Sequence, residues 1–206
     1  MRPPAEPATR LVLASQSASR RAMLDAAGVT YEAVSPQVDE ESAKASLIAA
    51  KVAPRDLADA LAELKALKLS GLDPTALVLG GDSVVALASG RLLDKPVTRE
   101  DAAEHLRAMS GGTHDIYSAA VIAEGGRPVW RHVDRARLMV RPLSDAFIEE
   151  YLDAEWPAIS GCVGCFRIEG MGVQLFSGLQ GSQFTILGMP LINILDYLRV
   201  RGVLTS

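Results

Sequence analysis

The chain has 206 residues, 49% hydrophobic and 22% charged, with 25 acidic against 21 basic side chains and a net charge of −4. That is too apolar and too nearly balanced for a disordered protein, and too acidic for a general nucleic-acid coat, which neutralises phosphates with excess base. No apolar run approaches the roughly 18 residues of a membrane span, the first residues carry no apolar signal region, and two cysteines cannot staple so long a chain, so a reducing cytoplasm is expected.

Residues 1–10, with three prolines in the first seven, read as a flexible tail ahead of a single domain over 11–206. Leu11 to Ala14 is an apolar strand. Ser17 then caps a helix whose inner face carries Met23, Leu24 and Ala27 and which stops at Gly28. Thr30 to Val34 suits a second strand, followed by an acidic loop at Val38-Asp39-Glu40-Glu41. Helices are predicted from Ser42 to Val52 and from Pro54 to Gly71, the second with Leu57, Leu61 and Leu64 inward.

Ala76 to Leu79 is a buried strand running into Gly80-Gly81-Asp82-Ser83, then Val84 to Leu87. Thr98 caps a helix to Met109, with Asp101 as its capping-box partner. Thr113–Ala123 and Val129–Val140 are long strands around a Gly125-Gly126 turn, and Ser144 to Ala154 is a helix. The glycine-rich stretch from Gly161 to Gly181 looks strand-like, and Pro190 opens a last helix with Leu191, Ile194, Leu195 and Leu198 inward. Helices and strands alternate first and strands cluster later, which predicts a mixed α/β domain.

Four places can carry chemistry. Ser15-Gln16-Ser17-Ala18-Ser19-Arg20-Arg21 joins a strand to a helix start, where exposed amides, hydroxyls and arginine forks suit an anion. The same residues also describe a capped helix with a solvated arginine pair. Asp82 follows an apolar strand and is expected at its carboxyl end, the ligand-binding edge of an open α/β sheet, or in an ordinary turn. Lys95 is held extended before Pro96, beside phosphate or in water. Asp39-Glu40-Glu41 offers hard oxygens for Mg²⁺ or a solvated loop. Cys162-Val163-Gly164-Cys165 lacks a second pair and ligand-spaced histidines, and reads as two packed thiols.

Seven short motifs, in order from Leu11 to Gly202, together resemble the Maf family of nucleotide pyrophosphatases. They are the Ser15–Arg21 loop (with Ala18 for the usual proline), Asp39-Glu40, Lys65-Ala66, Gly80–Val85 (with Ser83 for threonine), Lys95-Pro96, Ser110–His114 and Gly188–Leu191. The resemblance implies an elongated mixed sheet flanked by helices, related to the inosine-triphosphatase class and often dimeric. It implies hydrolysis of a nucleoside triphosphate between its α- and β-phosphates, with Mg²⁺ or Mn²⁺. Asp82 falls on the family's catalytic aspartate, as base, metal ligand or both; Glu40 and Asp82 would hold the metal, and Ser15, Ser17, Arg20, Arg21, Lys65 and Lys95 the phosphates.

The stretch Cys162-Val163-Gly164-Cys165-Phe166-Arg167-Ile168-Glu169-Gly170 resembles the family branch that prefers 7-methyl-GTP. There Glu169 stands where the thymidine/uridine branch has glutamine. A carboxylate only accepts hydrogen bonds, and guanine offers N1–H and its 2-amino group side by side, so Glu169 is expected to read that edge. The alternatives are a dTTP/UTP-preferring enzyme and a non-enzymatic regulator of septum formation.

Overall fold

The computed structural model describes residues 10–205; the proline-rich tail lies, apart from Arg10, outside the described residues. Arg10 itself is tied to the sheet, its carbonyl accepting from the Leu77 N–H at 2.9 Å. No helix among the described residues is long and apolar enough to cross a membrane.

The elements run β1 (Leu11–Ala14), α1 (Ala18–Ala26), β2 (Glu32–Ala33), α2 (Glu40–Ala49), α3 (Pro54–Ser70), β3 (Leu77–Leu87), β4 (Leu92–Leu93), α4 (Arg99–Met109), β5 (Thr113–Glu124), β6 (Arg127–Val140), α5 (Asp145–Glu155), β7 (Phe176–Gln180), α6 (Gln183–Ile186) and α7 (Leu191–Val200). One mixed sheet has the order β2-β1-β3-β5-β6-β7, with β4 also on β3. β1 is parallel to both β2 and β3, and the other pairings are antiparallel.

Helices cover both faces because each has one apolar stripe to bury. Leu57, Ala58, Leu61, Ala62 and Ala66 of α3 pack on Val12, Val78 and Val121. Met23 and Leu24 of α1 join Leu191, Ile194 and Leu198 of α7 over Leu13, Leu79 and Ile122 on the opposite side. Farther along the long strands, α4 and α5 cover Val85, Ile116 and Leu138. The capping box of Thr98 and Asp101 forms as its sequence spacing requires.

Several expectations change. Asp82 is not at a strand end: β3 is a continuous strand of eleven residues and Asp82 sits within it. The two glycines interrupt nothing. At Gly80 a Cβ would lie 2.2 Å from the Ala62 carbonyl oxygen and 2.8 Å from the Ala66 nitrogen, so glycine is there to let α3 approach the sheet. The acidic loop is the start of α2, with Asp39 accepting from the Ser42 N–H at 3.0 Å as its N-cap. Ala27 ends α1 exposed, and Leu64 is only partly buried while Lys65 beside it is buried.

The strand-like reading of Gly161–Gly181 holds only for β7. The rest is two 3₁₀ turns, Ala158–Gly161 and Met171–Leu175, joined by a loop. Gly164 and Cys165 there have φ of 85° and 60°, which no strand residue adopts.

The strand lengths create an opening. β1 pairs with β3 only from Leu77 to Gly80, and β4 pairs with Val85 and Ala86. Along this edge of β3, among the described residues, positions 81–84 have no strand partner. A cleft of about 1220 Å³ opens there.

Candidate active site

The cleft floor is set by charge on rigid elements. Asp82 projects from β3 and Lys65 from α3, both buried. The Lys65 ammonium lies 2.6 Å from Asp82 Oδ1 and 2.8 Å from Glu40 Oε2 of α2. One cation thus holds two carboxylates from different elements. Burial raises the Asp82 pKa above the ordinary carboxylate range, against the opposing fields of Lys65 and Arg20. For Glu40 burial pushes the same way, but Lys65, Lys95 and Arg20 outweigh it and hold its carboxyl below the usual value.

Arg20 is the second fixed cation. Its Nε donates to the Gly188 carbonyl at 2.8 Å, Nη2 to Ser83 Oγ at 3.0 Å and Nη1 to Ser15 Oγ at 3.4 Å. Burial lowers its pKa against the pull of Asp82 and Glu40, yet a guanidinium stays charged. Behind it a buried chain of hydroxyls continues: Ser83 Oγ lies 3.0 Å from Ser118 Oγ, which donates to the Thr185 carbonyl at 2.7 Å. Ser17 caps α1 by accepting from the Arg20 N–H, and Ser15 Oγ accepts from the Ser17 N–H at 3.2 Å. The loop between β1 and α1 is therefore a helix start turned toward the cleft, with hydroxyls and a fixed guanidinium around it.

Of the residues predicted from sequence, Ser15, Ser17, Arg20, Glu40, Lys65, Asp82, Lys95 and Glu169 all line this one cleft. Arg21 does not. Successive helix positions are about 100° apart, so Arg20 and Arg21 of α1 occupy different faces; among the described residues the Arg21 side chain makes no hydrogen bond, and its carbonyl accepts from the Tyr31 hydroxyl at 3.3 Å. Sequence reasoning missed Ser83 and the Gly188 carbonyl as the partners that fix Arg20. The Gly188–Leu191 motif was the signal for the second. It also left His114 without a role. That imidazole is buried between Phe166 and Phe176, with ring centroids 5.9 and 6.0 Å away and no hydrogen-bond partner for either nitrogen among the described residues. Burial lowers its pKa to about 4, so it is a neutral packing group.

A divalent ion fits the donor chemistry. No group of three or more carboxylate, imidazole or thiol ligands converges among the described residues. Mg²⁺, however, is commonly held by one or two carboxylates together with substrate phosphates. Asp82 Oδ2 and Glu40 Oε1 are the hard oxygens that Lys65 leaves without a partner among the described residues.

The family model described as "Maf-like protein" matches residues 10–201. The chain belongs to the Maf family. A nucleoside triphosphate pyrophosphatase of Sphingopyxis alaskensis is 51% identical over 193 residues, covering 94% of this chain and 98% of the relative. One of Caulobacter vibrioides is 50% identical over 197 residues, covering 96% and 98%. Among solved structures, a HAM1 protein from Coxiella burnetii matches 64% of this chain and 73% of its own, with 13% identity and a TM-score of 0.44.

In this Maf chain the far wall of the cleft is built differently from the floor. Cys162, Val163, Phe166 and Glu169 come from the loop between α5 and the second 3₁₀ turn. Phe166 is buried edge-on against Phe176, with centroids 4.8 Å apart. Glu169 is exposed, and no hydrogen bond or ion pair holds its carboxylate among the described residues. Cys165 is buried, its thiol pushed up to about 12 by burial, and both cysteines are free. The CxxC pair is thus part of the loop's packing.

Proposed function

We propose that the cleft binds a nucleoside triphosphate with its phosphates over β3 and its base against the 162–169 wall, and cuts it to nucleoside monophosphate and pyrophosphate. The coarse activity is that of the relatives: the chain is a nucleoside triphosphate pyrophosphatase, a hydrolase of the Maf family. The observation that carries the finer reading is the buried Lys65 ammonium between Asp82 and Glu40, beside the fixed Arg20.

A triphosphate carries about four negative charges, and this net acidic chain answers them locally. Arg20 offers a planar fork and the start of α1 its free amides, while Lys65 and Lys95 add point charges. Glu40, together with the substrate's phosphates, would hold Mg²⁺ or Mn²⁺, which leaves Asp82 Oδ2 for the proton. Such an ion, when bound, supplies positive charge against the phosphates and lowers the pKa of a coordinated water.

Lys65 fixes one oxygen of Asp82 and leaves Oδ2 free. That oxygen takes the proton as a water attacks the α-phosphorus; the α–β bridging oxygen departs with pyrophosphate. The raised pKa of Asp82 suits a base, because proton transfer is most effective when the acceptor's pKa lies nearer the working pH.

The base is read by Glu169. Two carboxylate oxygens match the adjacent N1–H and 2-amino donors of guanine, and N7 methylation adds positive charge that a carboxylate favours. The preferred substrate is therefore 7-methyl-GTP or a similarly modified guanine nucleotide. The free state of the Glu169 carboxylate on the cleft wall supports this reading.

One experiment tests both halves. Pyrophosphate release is scored for 7-methyl-GTP, GTP, dTTP and UTP, with Mg²⁺, with Mn²⁺ and after chelation. Asp82→Asn should lose about 10²–10⁴ of kcat on every nucleotide, and chelation should silence the wild type. Glu169→Gln should lower the kcat/KM ratio of 7-methyl-GTP to UTP about tenfold, one well-placed charged hydrogen bond's worth. Unchanged turnover in Asp82→Asn would remove the aspartate from the chemistry. An unchanged ratio in Glu169→Gln would remove Glu169 as the reader.

A further inference from the structure

Glu169 can serve as an acceptor only if nothing in the protein claims it first, and a rival stands two residues away. Arg167 lines the same cleft and its side chain is 39% exposed. A guanidinium on a loop beside a free carboxylate is the natural partner for it. Here Arg167 is instead turned to Glu155, the last residue of α5. Arg167 Nε lies 2.8 Å and Nη2 2.7 Å from Glu155 Oε2.

Glu155 is buried, with its side chain only 6% exposed. Its second oxygen, Oε1, accepts from the Met171 N–H at 3.1 Å. Both oxygens are thus used to pin the loop on either side of Glu169. The glycine at 170 belongs to this arrangement: a Cβ there would sit 3.0 Å from Glu155 Oε1 and 3.6 Å from Arg167 Nη2. The nearest surroundings complete the picture. The Tyr151 hydroxyl, one turn earlier on α5, donates to the Cys165 carbonyl at 3.1 Å, so α5 grips the loop at three points and leaves Glu169 free.

We infer that Glu155 is a specificity-positioning residue: it sequesters Arg167 and so keeps the Glu169 carboxylate free for the base. The inference rests on the assignment of Glu169 as the reader and adds the device that keeps it available. Glu155 touches no substrate in this reading. It acts by withholding a competitor, which an ordinary structural anchor does not do.

The test is a double-mutant cycle on the kcat/KM ratio of 7-methyl-GTP to UTP, using the full chain. Glu155→Gln keeps the shape and the acceptor for the Met171 N–H but loses the charge that holds Arg167. The ratio should fall about threefold, the scale of one exposed ion pair, as Arg167 turns to Glu169. Glu155→Gln with Arg167→Gln removes the competitor as well, and the ratio should return to the wild-type value. A loop that is merely displaced would not be rescued by deleting a second contact. If Glu155→Gln does not give a cooperative melt, Glu155→Asp, which withdraws the carboxylate by one methylene, should shift the ratio in the same direction.

Glu169→Gln separates the two levels. If it shifts the ratio and the Glu155 variants do not, the positioning role is wrong and the reader stands. If the double variant stays shifted, Glu155 is a structural anchor only. If Glu169→Gln leaves the ratio unchanged, the reader falls and the positioning role falls with it.

Discussion

The two ends of the cleft are made by opposite means. At the proposed phosphate end, Asp82, Lys65 and Arg20 come from the middle of a strand, the body of α3 and the first turn of α1, are buried, and are held by short bonds to one another or to Gly188 and Ser83. At the proposed base end the Glu169 carboxylate sits on an irregular loop, exposed and without a hydrogen-bond or ion-pair partner among the described residues. Charge stabilisation needs preorganised groups in a site that excludes water. Discrimination between bases needs only one acceptor placed on a wall that can vary without disturbing the sheet. In the proposed function this separates what must stay fixed from what can change, with α5 holding the 162–171 loop from behind.

The sharpest way to break this comparison is at Lys65. Lys65→Met leaves two carboxylates facing each other, one of them buried. Removing one partner of a buried pair costs about 3–5 kcal/mol, so the variant should melt well below the wild type and lose turnover on every nucleotide alike. Adding Asp82→Asn removes the uncompensated charge, and should restore most of the stability and none of the activity. A Lys65→Met protein that keeps its stability but changes its base preference would show that the two ends are not separate.

How much of this was written in the sequence divides along the same line. The strand cores and the helix caps were legible, because apolar runs, Ser17 and Thr98 act through near neighbours in the chain; the charged residues were singled out by the family resemblance, and all of them but Arg21 line the one cleft. The position of Asp82 was not. Gly80-Gly81 reads as a strand end when only local preference is considered; the close approach of α3 that makes Gly80 necessary is a tertiary fact. By periodicity alone Lys65 could not be told from its surface neighbour Lys68, since a periodic pattern marks apolar faces and does not distinguish a buried paired charge from a solvated one; only the Lys65-Ala66 motif of the resemblance marked it. The base wall was misread as strand because Gly164 and Cys165 adopt left-handed backbone, and its anchor, Glu155, has a partner twelve residues away.

His114 gives a prediction of the next size, at the base end. Its folded pKa of about 4 lies below the ordinary value near 6.5. The unfolded chain thus takes up a proton there before the native state does. Stability tied to this group is fully present above about pH 6.5 and is lost as pH falls toward 4. By pH 5 the loss is about 2 kcal/mol, at 1.36 kcal/mol per unit. Urea titrations at pH 7 and pH 5 should show it in the wild type, and His114→Leu should flatten that part of the pH dependence. Because His114 packs directly on Phe166, any accompanying change in activity should appear in base preference before it appears in kcat. An unaltered pH dependence in the leucine variant would mean that this imidazole meets water or a partner in solution.

The smallest effect is expected at Cys162, and its smallness is informative. The thiol lines the cleft close to Glu169, and burial, then the Glu169 charge, push its pKa above the ordinary value. At neutral pH it is a protonated, weakly nucleophilic group. Its neighbour Cys165 is buried deeper and contacts His105 Nδ1 through sulfur at 3.2 Å. Cys162→Ser keeps the size and polarity of a small side chain on the wall, so kcat should stay within about twofold, and alkylation of the wild-type thiol by iodoacetamide at pH 7 should be slower than that of free cysteine. The base ratio should move less than in Glu169→Gln, because a neutral thiol offers the purine no charge. If Cys162→Ser instead matched Glu169→Gln, the wall would read the base through its sulfur, and the division between a fixed phosphate end and a single carboxylate reader would have to be redrawn around two residues.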